Sequence, residues 1–282
     1  MKEYPRLFSS DSEPFNPLEL AKETEKIVTR PGPEGLERKY TGIYSAPVYR
    51  GIATGYAAGC CLRCIYCWGN WSRDFPEKFG EFYSPQGVAE GLFKAAKEGI
   101  TARGWERFKH LKINKLRLSG CEPTIGKEHL LSVLERVMDS EYPLFILETN
   151  GVLFGADKDY VNQLKPFADK LYVRVSFKAA TPEGFTERTG AIGKFYELPF
   201  VAFKYLLDAK IDTRAAAMTD PSVMPPEERR ILIKRLSEID SRIAENPLMV
   251  EEEVIDIYST TTERLKAYSD SKFAKDFESK FE

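Results

Sequence analysis

The sequence predicts an α/β fold of repeated parallel strand–helix units, and three observations predict it. Short apolar segments with strand composition alternate with segments of 3.6-residue periodicity. Six strands and six helices can be read in alternation over residues 50–277, the order that right-handed βα connections produce. Every unusual polar motif falls just after or at the end of a strand, so the motifs share one face. An open doubly wound sheet and a partial barrel both satisfy these observations. In either, ligands bind where the strand C-termini point.

Residues 1–35 read as an N-terminal extension with one helix from about Pro17 to Thr29, stopped by Pro31, Gly32, Pro33 and Gly35. Residues 38–49 are expected to form a short hairpin around Thr41–Gly42. The alternation then begins with a strand at 50–57 and a helix from Pro85 to Arg103. It continues with strands at 113–118, 144–148, 171–177, 211–217 and 248–257. The helices between and after them cover Lys127 to Ser140, Lys158 to Phe167, Phe195 to Ala209, Pro226 to Ile239 and Thr261 to Phe277. The expected organisation is an extension and hairpin over 1–49 and one α/β unit over 50–282. No internal repeat or low-complexity tract interrupts it.

With 43% apolar residues in 282, the chain can bury a sizeable core. No apolar run approaches the roughly 18 residues of a membrane helix. The first twenty residues, MKEYPRLFSSDSEPFNPLEL, are acidic and broken by prolines, unlike a signal peptide. A soluble cytoplasmic protein without a membrane partner is therefore expected. A net charge of −2 offers no broad positive field for phosphate backbones, so nucleic acid is not an expected partner. Charged residues make up 30% of the chain and Asn and Gln together number eight, a balance that fits a hot-living source.

Four of the five cysteines lie between positions 60 and 67, and the fifth is Cys121. Disulfide frameworks spread their cysteines, so this crowding points to a metal site. Cys60-x3-Cys64-x2-Cys67 brings three thiolates together, and thiolates suit iron–sulfur clusters and zinc. Three ligands on a four-iron cube leave one iron open to a small molecule. Cys61-x2-Cys64-x2-Cys67 also begins a ferredoxin-type run, but such a run continues to a further cysteine, and position 71 is Trp. An electron-transfer protein and a structural zinc site completed by Cys61 are the readings from other classes. Alone, Cys61 reads as a small buried residue.

The Cys60, Cys64 and Cys67 spacing, with Tyr66 before the third cysteine, resembles the signature loop of the radical S-adenosylmethionine superfamily. Trp68 and the helix start at Ser84–Pro85 resemble its branch of glycyl-radical-enzyme activating enzymes. The resemblance covers roughly residues 50–220. It implies a partial (β/α)6 TIM-like barrel and a [4Fe–4S] cluster on those three cysteines. It also implies an open iron that binds the amine and carboxylate of S-adenosylmethionine. One electron, from a low-potential ferredoxin- or flavodoxin-type donor, would cleave the cofactor. The resulting 5′-deoxyadenosyl radical would take a hydrogen atom from a protein glycine, a peptide or a small molecule.

The remaining motifs acquire roles by the same resemblance. Ser119-Gly120-Cys121-Glu122-Pro123-Thr124 is similar to the glycine-glycine-glutamate stretch whose backbone meets the methionine amine, with Cys121 in place of the second glycine. Tyr66 would lie along the adenine. Thr149 and Asn150, in a tight Asn-Gly turn, and Ser176 would meet the ribose. Lys178 or Arg214 would pair with the carboxylate, the latter because a charge within an apolar strand needs a partner. Arg188 is a weaker candidate for that role. His110 and His129 have no ligand spacing and read as structural. The aromatic residues from Trp68 to Tyr83 are expected to pack over the cluster. The acidic run Glu251 to Glu253 reads as a charged edge strand or a face for a cationic substrate. The absence of cysteines after Cys121 leaves no ligands for an auxiliary cluster.

Ligation is testable one cysteine at a time. Cys60→Ala, Cys64→Ala and Cys67→Ala should each abolish the four-iron cluster, whereas Cys61→Ala should keep it. Iron and sulfide assays after anaerobic reconstitution decide the matter. The ferredoxin-like run would be favoured by the opposite pattern, with Cys61 essential and Cys60 dispensable.

Overall fold

The computed structural model describes residues 4–281, so residues 1–3 of the expected extension and residue 282 of the α/β unit lie outside it. Among the described residues the strands are β1 (Thr29–Gly32), β2 (Gly35–Ala46), β3 (Ile52–Ala57), β4 (Glu81–Tyr83) and β5 (Lys115–Gly120). They continue with β6 (Leu144–Thr149), β7 (Leu171–Phe177), β8 (Asp212–Met218) and β9 (Glu251–Glu253). The helices are α1 (Pro17–Val28), α2 (Pro85–Glu98), α3 (Lys127–Met138), α4 (Val152–Ala156), α5 (Lys158–Asn162) and α6 (Pro182–Thr189). After them come α7 (Glu197–Asp208), α8 (Pro226–Ile239), α9 (Ser241–Glu245), α10 (Ser259–Ser269) and α11 (Ser271–Glu278).

All strands join one sheet in the order β1-β2-β3-β5-β6-β7-β8-β9, with β4 against β2. The six strands β3, β5, β6, β7, β8 and β9 pair in parallel. The pairs that β2 makes with β1, β3 and β4 are antiparallel. The path does not return on itself. The fold is a partial TIM-like barrel of six parallel strands, extended on one side by an antiparallel ribbon.

Alternation along the strands sorts their side chains. In β7, Leu171, Val173, Val175 and Phe177 are buried, while Tyr172, Arg174 and Ser176 between them are half-buried. The buried set joins Leu116, Leu118 and Leu147 of neighbouring strands in one apolar cluster with Leu92 of α2 and Leu130 and Val133 of α3. Each such side chain contributes about 1.5–3 kcal/mol on burial, so the helix-covered face drives folding. The opposite face carries Tyr56, Arg117, Ser119, Glu148, Arg174 and Ser176, which line cavities. The barrel interior is thus polar. The core lies on the helix-covered face instead.

Helix starts follow local capping. Asn16 accepts from the Leu18 and Glu19 amides ahead of α1, Ser84 from Gly87 ahead of α2 and Thr181 from Gly184 ahead of α6. Each is followed by a proline at the first helical position.

Several boundaries differ from the sequence reading. The hairpin expected over 38–49 is one continuous strand, β2, because Thr41 is absorbed as a bulge opposite β3 instead of turning the chain. The strand expected over 248–257 shrinks to Glu251–Glu253. The helix expected from Thr261 to Phe277 breaks at Asp270, whose extended backbone and side chain cap α11 through the Phe273 amide at 2.9 Å. The helix expected from Pro85 to Arg103 stops at Glu98, ahead of Gly99. Helices α4, α6 and α9 and strands β1 and β4 were not read from the sequence.

Two apolar clusters beside the main core fix the segment after β3. Cys61, Leu62, Ile65 and Tyr66 pack with Phe8, Ala21 and Val28 of the N-terminal segment. Phe75 packs with Leu7 and with Ala267, Ala274 and Phe277 of α10 and α11. Segments far apart in sequence therefore meet on the cysteine loop. Among the described residues no helix is long and apolar enough to cross a membrane.

Helix α4 crosses the start of α7 so closely that a Cβ on Gly155 would collide with the Leu198 carbonyl. Helix propensity alone favours alanine by about 0.5–1 kcal/mol, whereas forcing atoms into packed space costs about 1–3 kcal/mol. Gly155→Ala should therefore lower stability, seen as a lower denaturant midpoint at unchanged slope. A raised midpoint would show that the crossing yields.

Candidate active site

The C-terminal ends of β3, β5, β6 and β7 deliver four loops to one place. A cavity of about 130 Å³ there is lined by Cys60, Cys64, Tyr66 and Cys67 from the first loop and by Gly120, Cys121 and Glu122 from the second. Thr149 and Asn150 from the third loop and Ser176 and Lys178 from the end of β7 complete the set read from the sequence. Of those residues only Arg214 is missing from the lining. It is the third residue of β8, level with Arg174 across the ladder and far from the strand end at Met218. Its charge acts on Tyr172 and Asp240 instead. Arg188 is also outside the lining, buried in an ion pair with Glu228 and donating to the Lys178 carbonyl at 2.7 Å.

The thiols differ in their surroundings. Cys60 is lowered to about 7 because Cys61 donates to it, with the Leu62 amide adding a contact at 3.4 Å. Cys61 is pushed up correspondingly, by that hydrogen bond and by burial, and Asn150 Nδ2 contacts its sulfur at 3.3 Å. Burial raises Cys64 and Cys121 to about 12 each. Cys61 lies in the apolar cluster beneath the loop and does not line the cavity. Tyr66 Oη is buried with no hydrogen-bond partner among the described residues. A buried polar atom without a partner costs about 1–3 kcal/mol.

Glu122 joins two loops instead of presenting a free carboxylate. It accepts from Thr124 Oγ1 at 2.6 Å, Thr149 Oγ1 at 2.7 Å and the Asn150 amide at 2.8 Å. Its own amide donates to Gly59 O, and that of Cys121 to Ala57 O, both at 3.0 Å. The chain can run this close to β3 because Gly120 has φ +97°, and a Cβ there would press on the Ala57 backbone at 3.0 Å. Arg38 closes the loop from below, reaching Ile125 O at 2.5 Å and Glu122 O at 2.6 Å.

The cysteine loop has little secondary structure, and guanidiniums meet its carbonyls. Arg264 of α10 donates to Cys67 O and Gly69 O at 2.6 Å and to Asn70 O at 3.0 Å. Arg73 donates to Cys64 O at 2.6 Å. Between these two cations sits Asp74, fully buried and paired with both. Burial would raise its pKa, but Arg73 and Arg264 outweigh that and hold it below the usual carboxylate value.

Above the thiols, the barrel interior carries a charge ladder. Glu148 accepts from Tyr49 Oη at 2.6 Å, from Arg117 at 3.1 Å and from Ser119 Oγ. Burial opposes its ionisation, yet Arg117 and Arg174 lower its pKa overall. Arg174 pairs with Glu251 at 2.5 Å and Glu253 at 2.7 Å. Tyr49 reaches in from a turn in which it and Arg50 both have positive φ, 52° and 58°, a conformation that non-glycine residues adopt at a cost.

Sequence reading missed Arg38, Tyr49, Arg73, Asp74, Arg117, Arg174 and Arg264 as parts of the site. The signal available was charge at strand positions facing the polar side and an Arg–Asp pair within the aromatic run after Cys67. The second cation on its Asp74, Arg264, lies 190 residues away.

Sequence and structure comparisons add a family. A model described as the Radical SAM superfamily matches residues 56–231, more than half of the chain. No curated protein sequence matches it. Among solved structures the chain is similar to TYW1 with a lysine-pyruvate adduct bound, at 16% identity and a TM-score of 0.50, over 74% of this chain and 66% of that one. It is similar to a radical SAM methyltransferase from Sphaerobacter thermophilus at 10% identity and 0.50, over 84% and 74%. It is similar to Streptococcus suis SuiB bound to S-adenosylmethionine at 13% identity and 0.45, over 75% and 47%. The chain thus spans less than two thirds of TYW1 and about half of SuiB. At these identities the likeness is one of fold.

The clamp makes a prediction with a sign in pH. Asp74→Asn leaves two buried guanidiniums without a counter-charge and should cost about 3–5 kcal/mol at neutral pH. A carboxyl with a depressed folded pKa stabilises above its unfolded value, about 3.9, and loses that contribution as pH falls through the folded value. The gap between parent and variant in urea titrations should therefore close below about pH 4. A gap that is small at pH 7, or constant with pH, would show that Asp74 is dispensable to the loop.

Proposed function

The chain belongs to the radical SAM superfamily, and from that premise we propose that its thiol-lined cavity holds the [4Fe–4S] cluster and S-adenosylmethionine that this family of enzymes uses, and that it removes a hydrogen atom from an organic substrate. The observation that carries this reading is the convergence of the Cys60, Cys64 and Cys67 thiols and four strand-end loops on one cavity. The donor set fits a cluster. Among the described residues no group of His, Cys, Asp or Glu is gathered tightly enough for a single metal ion, whereas a cube takes its thiolates at separate corners.

When bound, the reduced cluster supplies the one-electron chemistry that makes S-adenosylmethionine a source of a carbon radical. Cys60, Cys64 and Cys67 would hold the cluster. Tyr66, within the apolar cluster under the loop, excludes water from that side. The amides of Cys121 and Glu122 are already bonded and Glu122 O accepts from Arg38, so the strip offers the Gly120 and Cys121 carbonyls, the right partners for an amine. Thr149, Asn150 and Ser176 supply polar groups for a ribose. Arg73 and Arg174 at the cavity are paired with carboxylates, whereas Lys178, whose Nζ lies 2.5 Å from Ser176 Oγ, has no carboxylate partner among the described residues. Our reading gives the carboxylate of S-adenosylmethionine to Lys178 before Arg214, which lies outside the lining.

Trp68 and the Ser84–Pro85 helix start favour the activating-enzyme branch within the superfamily, and a ferredoxin- or flavodoxin-type donor would supply the electron. We retain the division into an N-terminal part, 1–49, and a barrel part, 50–282, as part of this proposal.

The anaerobically reconstituted chain, given dithionite and S-adenosylmethionine, should release 5′-deoxyadenosine slowly without substrate. A fully loaded cluster that yields none would sink the reading. Losing a charge-assisted bond costs about 1.5–3 kcal/mol, so Lys178→Ala should bind S-adenosylmethionine roughly ten- to a hundredfold more weakly. Arg214→Ala should stay within about twofold of the parent. The reverse ranking in a binding titration would return the carboxylate to Arg214.

A further inference from the structure

Beside the thiol-lined cavity lies a second of about 730 Å³. The two share Trp68, Cys121, Glu148, Arg174 and Glu253 in their walls and so adjoin. The volume falls in the range of about 300–1,000 Å³ typical of small-ligand sites. Its walls carry four carboxylates, Glu148, Glu251, Glu253 and Asp256, against two guanidiniums, Arg117 and Arg174.

Those charges are not equally committed. Arg117 is held by Glu148 and by Thr54 Oγ1 at 3.0 Å, and Arg174 by Glu251 and Glu253. Asp256 is exposed, and its carboxylate has no partner among the described residues. The segment that carries it is fixed, because the Ile255 amide donates to Asp220 Oδ2 at 2.9 Å.

The aromatic side chains divide in the same way. Arg117 lies over Tyr49 at 5.4 Å and Tyr56 at 5.9 Å, and Tyr44 stacks on Tyr56 at 4.5 Å. Trp68 and Tyr258 are 46% and 57% exposed, and neither ring has a ring or cation partner among the described residues. Two rings and a carboxylate, unpartnered among the described residues and lining the same cavity, attract an organic cation through charge and through the ring faces. The carboxylate excess repels anions, and a neutral ligand would leave the charge of Asp256 unused.

We propose that this second cavity is the substrate chamber, and that the substrate presents an ammonium or guanidinium group received at the rim by Asp256, Tyr258 and Trp68. The rest of the substrate then extends towards the thiol-lined cavity. This inference rests on the functional reading above. A free amine compound and a Lys or Arg side chain within a peptide share the chemistry.

The test is anaerobic calorimetry on the reconstituted holoenzyme with saturating S-adenosylmethionine. The probes are agmatine, the peptide acetyl-Gly-Arg-Gly-amide, and the same peptide with citrulline or glutamate in place of arginine. At least one cationic probe should bind about tenfold or more tightly than the citrulline peptide, and the glutamate peptide should bind least. Agmatine binding alone identifies a small molecule, and tight binding of the arginine peptide identifies a peptide. Asp256→Asn and Tyr258→Ala should each weaken the cation about tenfold, while Tyr258→Phe should bind as the parent does. Equal binding of charged and uncharged peptides, preference for glutamate, or no cation binding by protein that still binds S-adenosylmethionine overturns the proposal. Cation selectivity in protein that fails to bind S-adenosylmethionine would instead count against the functional reading alone.

Discussion

Asp74, buried between Arg73 and Arg264, is the interaction on which the site depends. The loop from Cys60 to Asn70 has no ladder of its own to satisfy its carbonyls, and buried backbone groups must find partners. Guanidinium forks from Arg73 and Arg264 meet the carbonyls of Cys64, Cys67, Gly69 and Asn70. Two such cations could not be buried together without the carboxylate they share. With the backbone tied from beneath, the thiols of Cys60, Cys64 and Cys67 are left to the cavity. The N-terminal segment reinforces the clamp, with Arg6 bonding Asp74 O at 2.9 Å and Pro5 O accepting from Arg63 at 2.6 Å.

The polar interior follows from where the apolar surface goes. A closed barrel fills its centre with branched apolar side chains. Here Leu116, Leu118, Val173 and Val175 bury themselves under the helices, and the centre holds Arg117, Glu148 and Arg174. The open edge leaves room for a chamber. The short strand β9 narrows that opening and supplies the two carboxylates that balance Arg174.

Much of this was legible from residue order because it is local. Alternation within a strand, a Ser–Pro or Asn–Pro helix start and the position of motifs after strands need only a few neighbouring residues. That is why eleven of the twelve residues read as cluster ligands or cofactor contacts line the same cavity. Arg214 was misplaced. Alternation told which side of the sheet it faces but not that its charge goes to Tyr172 and Asp240 rather than to the cavity. The carboxylate of Glu122 was legible as part of a motif, yet its bonds to Thr149 and Asn150 depend on β6 lying beside β5. Arg264 and Asp74 were illegible for the same reason, since nothing near either residue in the sequence names the other. The β2 bulge and the brevity of β9 were set by pairing partners rather than by composition.

The clamp also has a timetable. Arg264 lies 197 residues beyond Cys67, whose carbonyl it holds. At about 5–20 residues per second, the ribosome needs on the order of 10–40 s to make that stretch. Throughout that interval the nascent chain displays its crowded cysteines on a loop that nothing yet braces. Thiols in that state are open to oxidants and to whatever soft metal arrives first. Under the proposed reading, in which this loop holds the cluster, iron delivery would belong after translation of helix α10, whose docking braces the loop.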